Sequence, residues 1–173
     1  LLAVLADGAF HSGEQIGAEL GISRAAISQQ IKSLRLLGLE IFSITGKGYR
    51  LNTPLDLLNT EILQHLTAGA PIHTCAVIDS TNQYMMAQLD RWQKGECLLA
   101  ETQTAGRGRR GRHWHSPFGS QFIMSMYWRL DDGPSAAMGL SLAIGVAVVQ
   151  ALESAGYRDL SLKWPNDIYM PRR

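Results

Sequence analysis

Cysteine is scarce in this chain: only Cys75 and Cys97 occur, far apart, in neither a metal-ligand nor a redox spacing. They read as buried free thiols in a reducing compartment. A signal peptide is also missing, because Leu1-Leu2 lacks a basic start and a cleavage site. The lack of an initiator Met predicts that the chain begins inside a longer protein. No uninterrupted apolar run reaches membrane-spanning length. The most apolar window, 136–152, comes near it, but Gly139, Ser141, Gly145 and Gln150 break it, so a buried core helix is expected. Internal repeats and low-complexity tracts are absent. So is bulk charge: the net charge is +1, and any argument for nucleic acid must rest on local clusters. What is present is core material. The 173 residues are 46% hydrophobic, enough for one or two domains of a cytoplasmic globular protein with no membrane partner.

The densest local cluster is Gly106-Arg107-Gly108-Arg109-Arg110-Gly111-Arg112-His113-Trp114. Each glycine disfavours a helix by roughly 1 kcal/mol relative to alanine, so the stretch should be a loop. Its arginines repel one another, and the nearest preceding acid is Glu101. Such a loop should stay mobile until an anion arrives. Guanidinium forks suit phosphate or carboxylate, and glycines let the backbone approach a ligand closely. Taken alone, the loop suits a nucleotide, a nucleic acid strand or a solvated arginine-rich turn.

The N-terminal fifty residues punctuate themselves clearly. Leu1–Ala6 reads as the end of a helix stopped by Asp7-Gly8. Ser12 is a natural N-cap for a second helix with Ile16 and Leu20 on one stripe. Gly21-Ile22-Ser23 makes a short turn, and Ser23 caps a third helix from Arg24 to about Leu37. Ala26, Ile27, Ile31, Leu34 and Leu37 face inward on it. Arg24, Ser28, Gln29 and Lys32 are left outside. Strands at 41–44 and 49–51 follow, joined by Thr45-Gly46-Lys47-Gly48. Helix, glycine turn, polar-faced helix and hairpin with a basic tip form a winged helix-turn-helix pattern. Such a helix fits the major groove, and Lys47 on the tip could reach phosphate. Ser23, Arg24, Ser28, Gln29, Lys32 and Lys47 are the candidate DNA contacts; a protein-interaction module is the alternative.

After a linker at 53–55, residues 56–173 read as a larger domain of strands mixed with helices, α/β or α+β with a mixed sheet. Expected are helices at 56–66, from Ser80-Thr81-Asn82 to about Trp92, and from Pro134-Ser135 to about Ala155. Strands are expected at 72–78, 97–101, 121–130, 160–164 and from Ile168. Three constellations stand out. Ser80-Thr81-Asn82 lies at a strand-to-helix junction, where unpaired N–H groups, two hydroxyls and an amide could hold a small polar group or make an ordinary N-cap. Gln103, entering the arginine loop, can both donate to and accept from an amide-like partner. In Lys163-Trp164-Pro165-Asn166-Asp167, Lys163 could meet phosphate and Asp167 could hold Mg²⁺ or orient an amine, or the five could form a plain hairpin.

Asp79-Ser80-Thr81-Asn82, the run Glu101-Thr102-Gln103-Thr104-Ala105-Gly106-Arg107-Gly108-Arg109, and Lys163-Trp164-Pro165-Asn166-Asp167 together resemble the biotin–protein ligases in wording, order and spacing. With the winged helix ahead of them, the chain resembles the bifunctional bacterial form, a biotin ligase that also represses the biotin operon. The resemblance implies ATP, Mg²⁺ and biotin as ligands, biotinyl-5′-adenylate as intermediate and corepressor, and a lysine of the biotin carboxyl carrier protein as acceptor. It implies that Ser80, Thr81, Asn82 and Gln103 contact biotin, with Arg107, Gly108 and Arg109 on a loop that closes over it. Gly106, Arg109, Arg110, Lys163 and Asn166 would serve the adenylate phosphate. Arg107, Arg109, Lys163 and Asp167 would act in catalysis, with Asp167 as the metal carboxylate. Operator DNA and an adenylate-dependent homodimer are the further implied partners.

One departure is that the family's basic Arg-Lys pair after this hairpin is represented only by its arginine, at Arg173. The expectation is a full-length ligase, with this stretch inactive and poorly folded in its second domain when alone. A non-catalytic biotin-sensing repressor, a lipoate-type ligase of the same fold and an RNA-binding reading of the arginine loop are the alternatives.

Overall fold

The structure, a computed structural model, describes residues 1–67, 69–131, 133–164 and 167–170, without the side chains of Arg109, Pro134 and Ala136. The backbone packs into two compact units, Leu1–Trp128 and Arg129–Arg173.

The first unit begins with α1 (Leu2–Leu5), α2 (Gly13–Leu20) and α3 (Arg24–Leu36), then β1 (Ile41–Ile44) and β2 (Gly48–Leu51). Local chemistry fixes the helix starts. Ser12 Oγ accepts the Gln15 N–H while Gln15 Oε1 accepts the Ser12 N–H, a reciprocal capping box. Ser23 Oγ accepts the Ala26 N–H and starts α3. Leu5, Ile16, Ile27, Ile31 and Leu51 are almost fully buried, and they form one core. β1 and β2 pair antiparallel with Ile41 opposite Leu51 and Phe42 opposite Arg50. Gly48 is required where it stands: its φ is +97°, and a Cβ there would run into the His11 carbonyl. That approach lets His11 bridge Tyr49 in both directions, N–H to carbonyl, at 2.9 Å.

The segment expected as a linker is packed. The Leu55 N–H donates to the Ala6 carbonyl at 2.9 Å, and Leu55 and Leu57 lie against the winged-helix core. Phe118, from far along the chain and only 7% exposed, belongs to that same core.

α4 (Thr60–Leu66) is shorter than the helix expected from Asp56. The Leu58 N–H is taken by Glu101 Oε1 at 2.6 Å, and Asn59 caps the helix through the Ile62 N–H. Its apolar Ile62 and Leu66, spaced i, i+4, are exposed.

β3 (Ile72–Ile78) pairs parallel with β4 (Cys97–Gln103), crossing over through α5 (Thr81–Met86). β4 pairs antiparallel with β5 (Ile123–Met126), so the sheet is mixed, as expected. Central β4 is covered on both faces and buries Leu98 through Thr102 in succession. α5 stops well before Trp92. The backbone leaves the helical region at Gln88, and only a 3₁₀ turn at Leu89–Arg91 follows. Met85 is buried on α5, while Tyr84 and Leu89 are exposed. β5 keeps only the middle of the expected alternating run. Ile123 is buried, and Phe122, Met124, Met126 and Trp128 are exposed. Cys75 and Cys97 are free but half-buried rather than fully buried, and burial pushes both thiol pKa values up.

The second unit holds a 3₁₀ turn (Pro134–Ala137), α6 (Leu140–Ser154), and the antiparallel pair β6 (Ser161–Lys163) and β7 (Asp167–Tyr169). The expectation of a buried core helix is not met: none of the α6 residues is buried. Within its own unit the helix is apolar nearly all round but faces only a short hairpin, which cannot cover it. Gly145 permits the closest approach, since a Cβ there would lie 3.0 Å from the Leu162 side chain. No helix among the described residues is long and apolar enough to cross a membrane.

Candidate ligand-binding cleft

At the C-terminal ends of β3 and β4 lies an open cleft of about 600 Å³. Ser80, Thr81, Asn82, Gln103, Arg107 and Gly108 line it. The parallel pairing explains why they meet: Ile78 is in register with Gln103, so the β3 exit and the arginine-loop entry leave the sheet side by side. Ligand sites in such sheets form at the carboxyl ends of parallel strands.

The floor is a chain of hydrogen bonds. Gln103 Oε1 accepts the Thr81 N–H at 2.8 Å and the Thr81 hydroxyl at 3.2 Å. A backbone N–H can only donate, so the carboxamide oxygen points to Thr81 and the amide nitrogen Nε2 is left as the donor. The Thr81 hydroxyl also lies 2.8 Å from Ser125 Oγ. With the Thr81 proton given to Gln103, Ser125 donates to Thr81 and keeps its oxygen lone pairs for another partner. Ser80 and Thr81 are nearly buried, and Ser80 Oγ caps α5 through the Gln83 N–H at 3.4 Å. Ser80 is therefore an N-cap as well as a cleft residue. The Asn82 amide donates to Met86 Sδ at 3.6 Å.

The arginine loop, expected to be held only by an anion, carries its own frame. The Trp114 N–H donates to the Gly106 carbonyl at 2.9 Å and the Gly108 N–H to the Arg112 carbonyl at 2.7 Å. Arg107 bridges His113 antiparallel. Trp114 Nε1 donates to Gln121 Oε1 at 3.1 Å, and Gln121 Nε2 donates to the His115 carbonyl at 3.1 Å. Arg110 sits at φ +61°, a left-handed conformation that costs a non-glycine residue energy. Gly106 leaves room for the neighbouring amide, since a Cβ there would lie 3.0 Å from Gln103 Nε2. Sequence reasoning missed Trp114, Gln121 and Ser125 as cleft residues. The only signal was that Ser125 is a small polar residue within an otherwise apolar alternating strand.

The Arg109 side chain and the whole of Asn166 lie outside the described residues. Lys163 and Asp167 belong to the second unit. They are cross-strand partners of β6 and β7, and Lys163 Nζ lies 5.6 Å from the Tyr169 ring centroid. Both line a mainly apolar groove of about 540 Å³ between α6 and the hairpin. No group of three or more His, Cys, Asp or Glu that could hold a metal occurs among the described residues.

On the winged helix, Arg24, Gln29 and Lys32 are exposed and Ser28 is half-buried. Arg24 Nη2 lies 3.9 Å from Glu14 of α2. Ser23 is committed to its capping bond.

Residues 74–173 match the Biotin/lipoate A/B protein ligase family, and residues 1–50 match an HTH domain. With more than half of its length matched, the chain belongs to the biotin/lipoate A/B protein ligase family. It is 48% identical over its full length to the Bifunctional ligase/repressor BirA of Escherichia coli (strain K12), covering 54% of that protein. It is 38% identical over 92% of its length to the BirA of Bacillus subtilis (strain 168), covering 50% of it. The chain thus spans about half the length of the curated relatives it matches. The solved Biotin protein ligase from Aquifex aeolicus in complex with biotin and ATP aligns with a TM-score of 0.48 and 33% identity, over 57% of this chain and 41% of that one.

Proposed function

We propose that the protein containing this chain joins biotin to the biotin carboxyl carrier protein through biotinyl-5′-adenylate and represses transcription through its winged helix. The observation that carries the reading is the Ser125–Thr81–Gln103 hydrogen-bond chain at the floor of a cleft that the arginine loop also lines. A cyclic urea has one carbonyl that accepts and two N–H groups that donate. The floor offers the complement: Gln103 Nε2 donates, and Ser125 Oγ accepts. With the urea on this floor, the biotin carboxylate is directed toward the arginine loop that lines the same cleft.

In the first step the biotin carboxylate attacks the α-phosphorus of ATP and pyrophosphate leaves. In the second a carrier lysine amine attacks the acyl carbon and AMP leaves. Negative charge builds on the α-phosphate in the first step, and Arg107 and Arg109 on the loop stabilise it while keeping water from the hydrolysable mixed anhydride. The Gly106 and Gly108 backbone allows that approach; the further roles proposed for the adenylate phosphate fall to Arg110, Lys163 and Asn166. Mg²⁺ enters with ATP, as it commonly does when one or two carboxylates and the substrate phosphates share it, and Asp167 is the carboxylate proposed for it. The winged helix meets operator DNA through Arg24, Ser28, Gln29, Lys32 and Lys47, and two copies associate when adenylate is bound. The functional division is 1–52 for DNA, 53–55 for the connection and 56–173 for the ligase domain. The cytoplasm is the proposed compartment.

The test uses the full-length protein with biotin, Mg²⁺ and α-labelled ATP, with and without Arg109→Ala. Biotinyl-adenylate made by the wild type, and lost or released into solution by the variant, is the expected result. No adenylate from the wild type would leave a biotin-sensing repressor instead. Adenylation of lipoate in preference to biotin would reassign the substrate.

A further inference from the structure

The wing carries a feature outside the cleft and outside the α3 reading face. Arg50 lies on the strand face opposite the core, paired across the hairpin with Phe42. Its guanidinium carbon sits 5.0 Å from the Phe10 ring centroid and 5.4 Å from that of Phe42. Lys47 Nζ, from the turn, lies 5.9 Å from the same Phe10 ring. Two cations thus share one aromatic ring, and a second ring also lies against Arg50.

Among the described residues no carboxylate pairs with Arg50 or Lys47. Among the described residues the Arg50 side chain makes no hydrogen bond or ion pair, and its Nε is buried without a partner. Three acids of the same module are engaged elsewhere: Asp7 with His11, Glu14 with Arg24, and Glu40 with the Asn52 amide at 2.6 Å. An arginine already held against aromatic rings loses little rotamer freedom when it meets an anion. An uncompensated, pre-positioned cation pair is an anion site in waiting.

We infer that Phe10, Phe42, Lys47 and Arg50 form a phosphate clamp on the wing, whose ligand is the sugar–phosphate backbone of duplex DNA. This rests on the DNA-binding reading and assigns the wing its share: phosphate, not base edges. An exposed β-hairpin beside a polar-faced helix brings such a pair against a strand of backbone while the helix occupies the groove. Binding through the clamp is insensitive to sequence and sensitive to salt.

The test measures binding of the full-length protein, supplied with biotin and Mg·ATP, to a short labelled duplex of mixed sequence over a range of salt. Arg50→Gln is expected to weaken binding to any sequence and to make the log K against log[salt] slope shallower by about 0.9, one phosphate contact. Arg50→Lys is expected to keep the wild-type slope with weaker binding, and Phe42→Leu to do the same. A purely structural role for Arg50 would move Arg50→Lys and Arg50→Gln together at an unchanged slope, and that result overturns the clamp. Wild-type affinity and slope in Arg50→Gln overturn it as well, while DNA binding itself stands. A wild type that binds no duplex brings down both this inference and the DNA reading. Capture of an acidic polyglutamate peptide in preference to the duplex overturns the choice of partner.

Discussion

Thr81 is the residue on which the cleft floor turns, because its hydroxyl stands between Ser125 and Gln103. Thr81→Val keeps the shape and removes that link, leaving Ser125 without its partner. Loss of one such buried hydrogen bond costs about 1–3 kcal/mol, so biotin affinity measured by titration calorimetry should fall by roughly 5- to 150-fold, while melting changes less than for a core deletion. Asp7 is a second point of local chemistry. The His11 side chain, followed by the Ala9 N–H, holds its carboxyl below the ordinary aspartate value. A depressed carboxylate contributes stability that is present above its unfolded value and lost as pH falls through the lower folded value. Melting curves taken into the acid range should therefore show a stability loss that Asp7→Asn lacks. The two thiols act oppositely: burial raises both, so thiol-reagent labelling of the folded protein should be slow at neutral pH and accelerate only above the pH at which free cysteine reacts. Ser80, Thr81, Asn82 and Gln103 were legible in the sequence because each stands at a strand end beside a break in pattern. Ser125, Trp114 and Gln121 were not, since their roles come from contacts across the sheet and within the loop that spacing alone does not encode.

Helix starts and turns were the best-read elements, and for a physical reason: caps and positive-φ glycines are local. Ser23→Ala should cost about 1 kcal/mol by removing the α3 cap, measured by denaturant unfolding. Gly48→Ala should be much worse. It forces both a strained φ and a clash with the His11 carbonyl, so the β2 bridge to His11 must open and the wing must shift. Helix extents were read less well. α4 and α5 each came out shorter than expected: Glu101 claims the Leu58 N–H ahead of α4, and the backbone leaves the helical region at Gln88 after α5. β5 and α6 show the limit of reading burial from hydrophobicity. Their apolar residues were identified correctly, yet most are exposed within this stretch, since burial depends on what packs opposite.

The winged helix and the β3–β4–β5 sheet share one compact unit: Phe118 sits in the winged-helix core, and the buried Glu101 carboxylate takes the N–H of Leu58, the neighbour of Leu57, which lies against that core. Glu101 and Phe118 flank the arginine loop, one on the strand that leads into it and one on the segment that leaves it. Phe118→Ala should cost about 3–5 kcal/mol as a large-to-small core change. Unlike a mutation confined to the cleft, it should lower the unfolding temperature followed by signals from the winged helix as well as the sheet. This shared core also bears on how the protein is made. A ribosome releases Leu5, Ile16, Ile27, Ile31 and Leu51 early, but Phe118 emerges only after the whole of β3, α5, β4 and the arginine loop. The small N-terminal module therefore waits, with one face of its core uncovered, until the arginine loop that lines the candidate cleft has itself been synthesised.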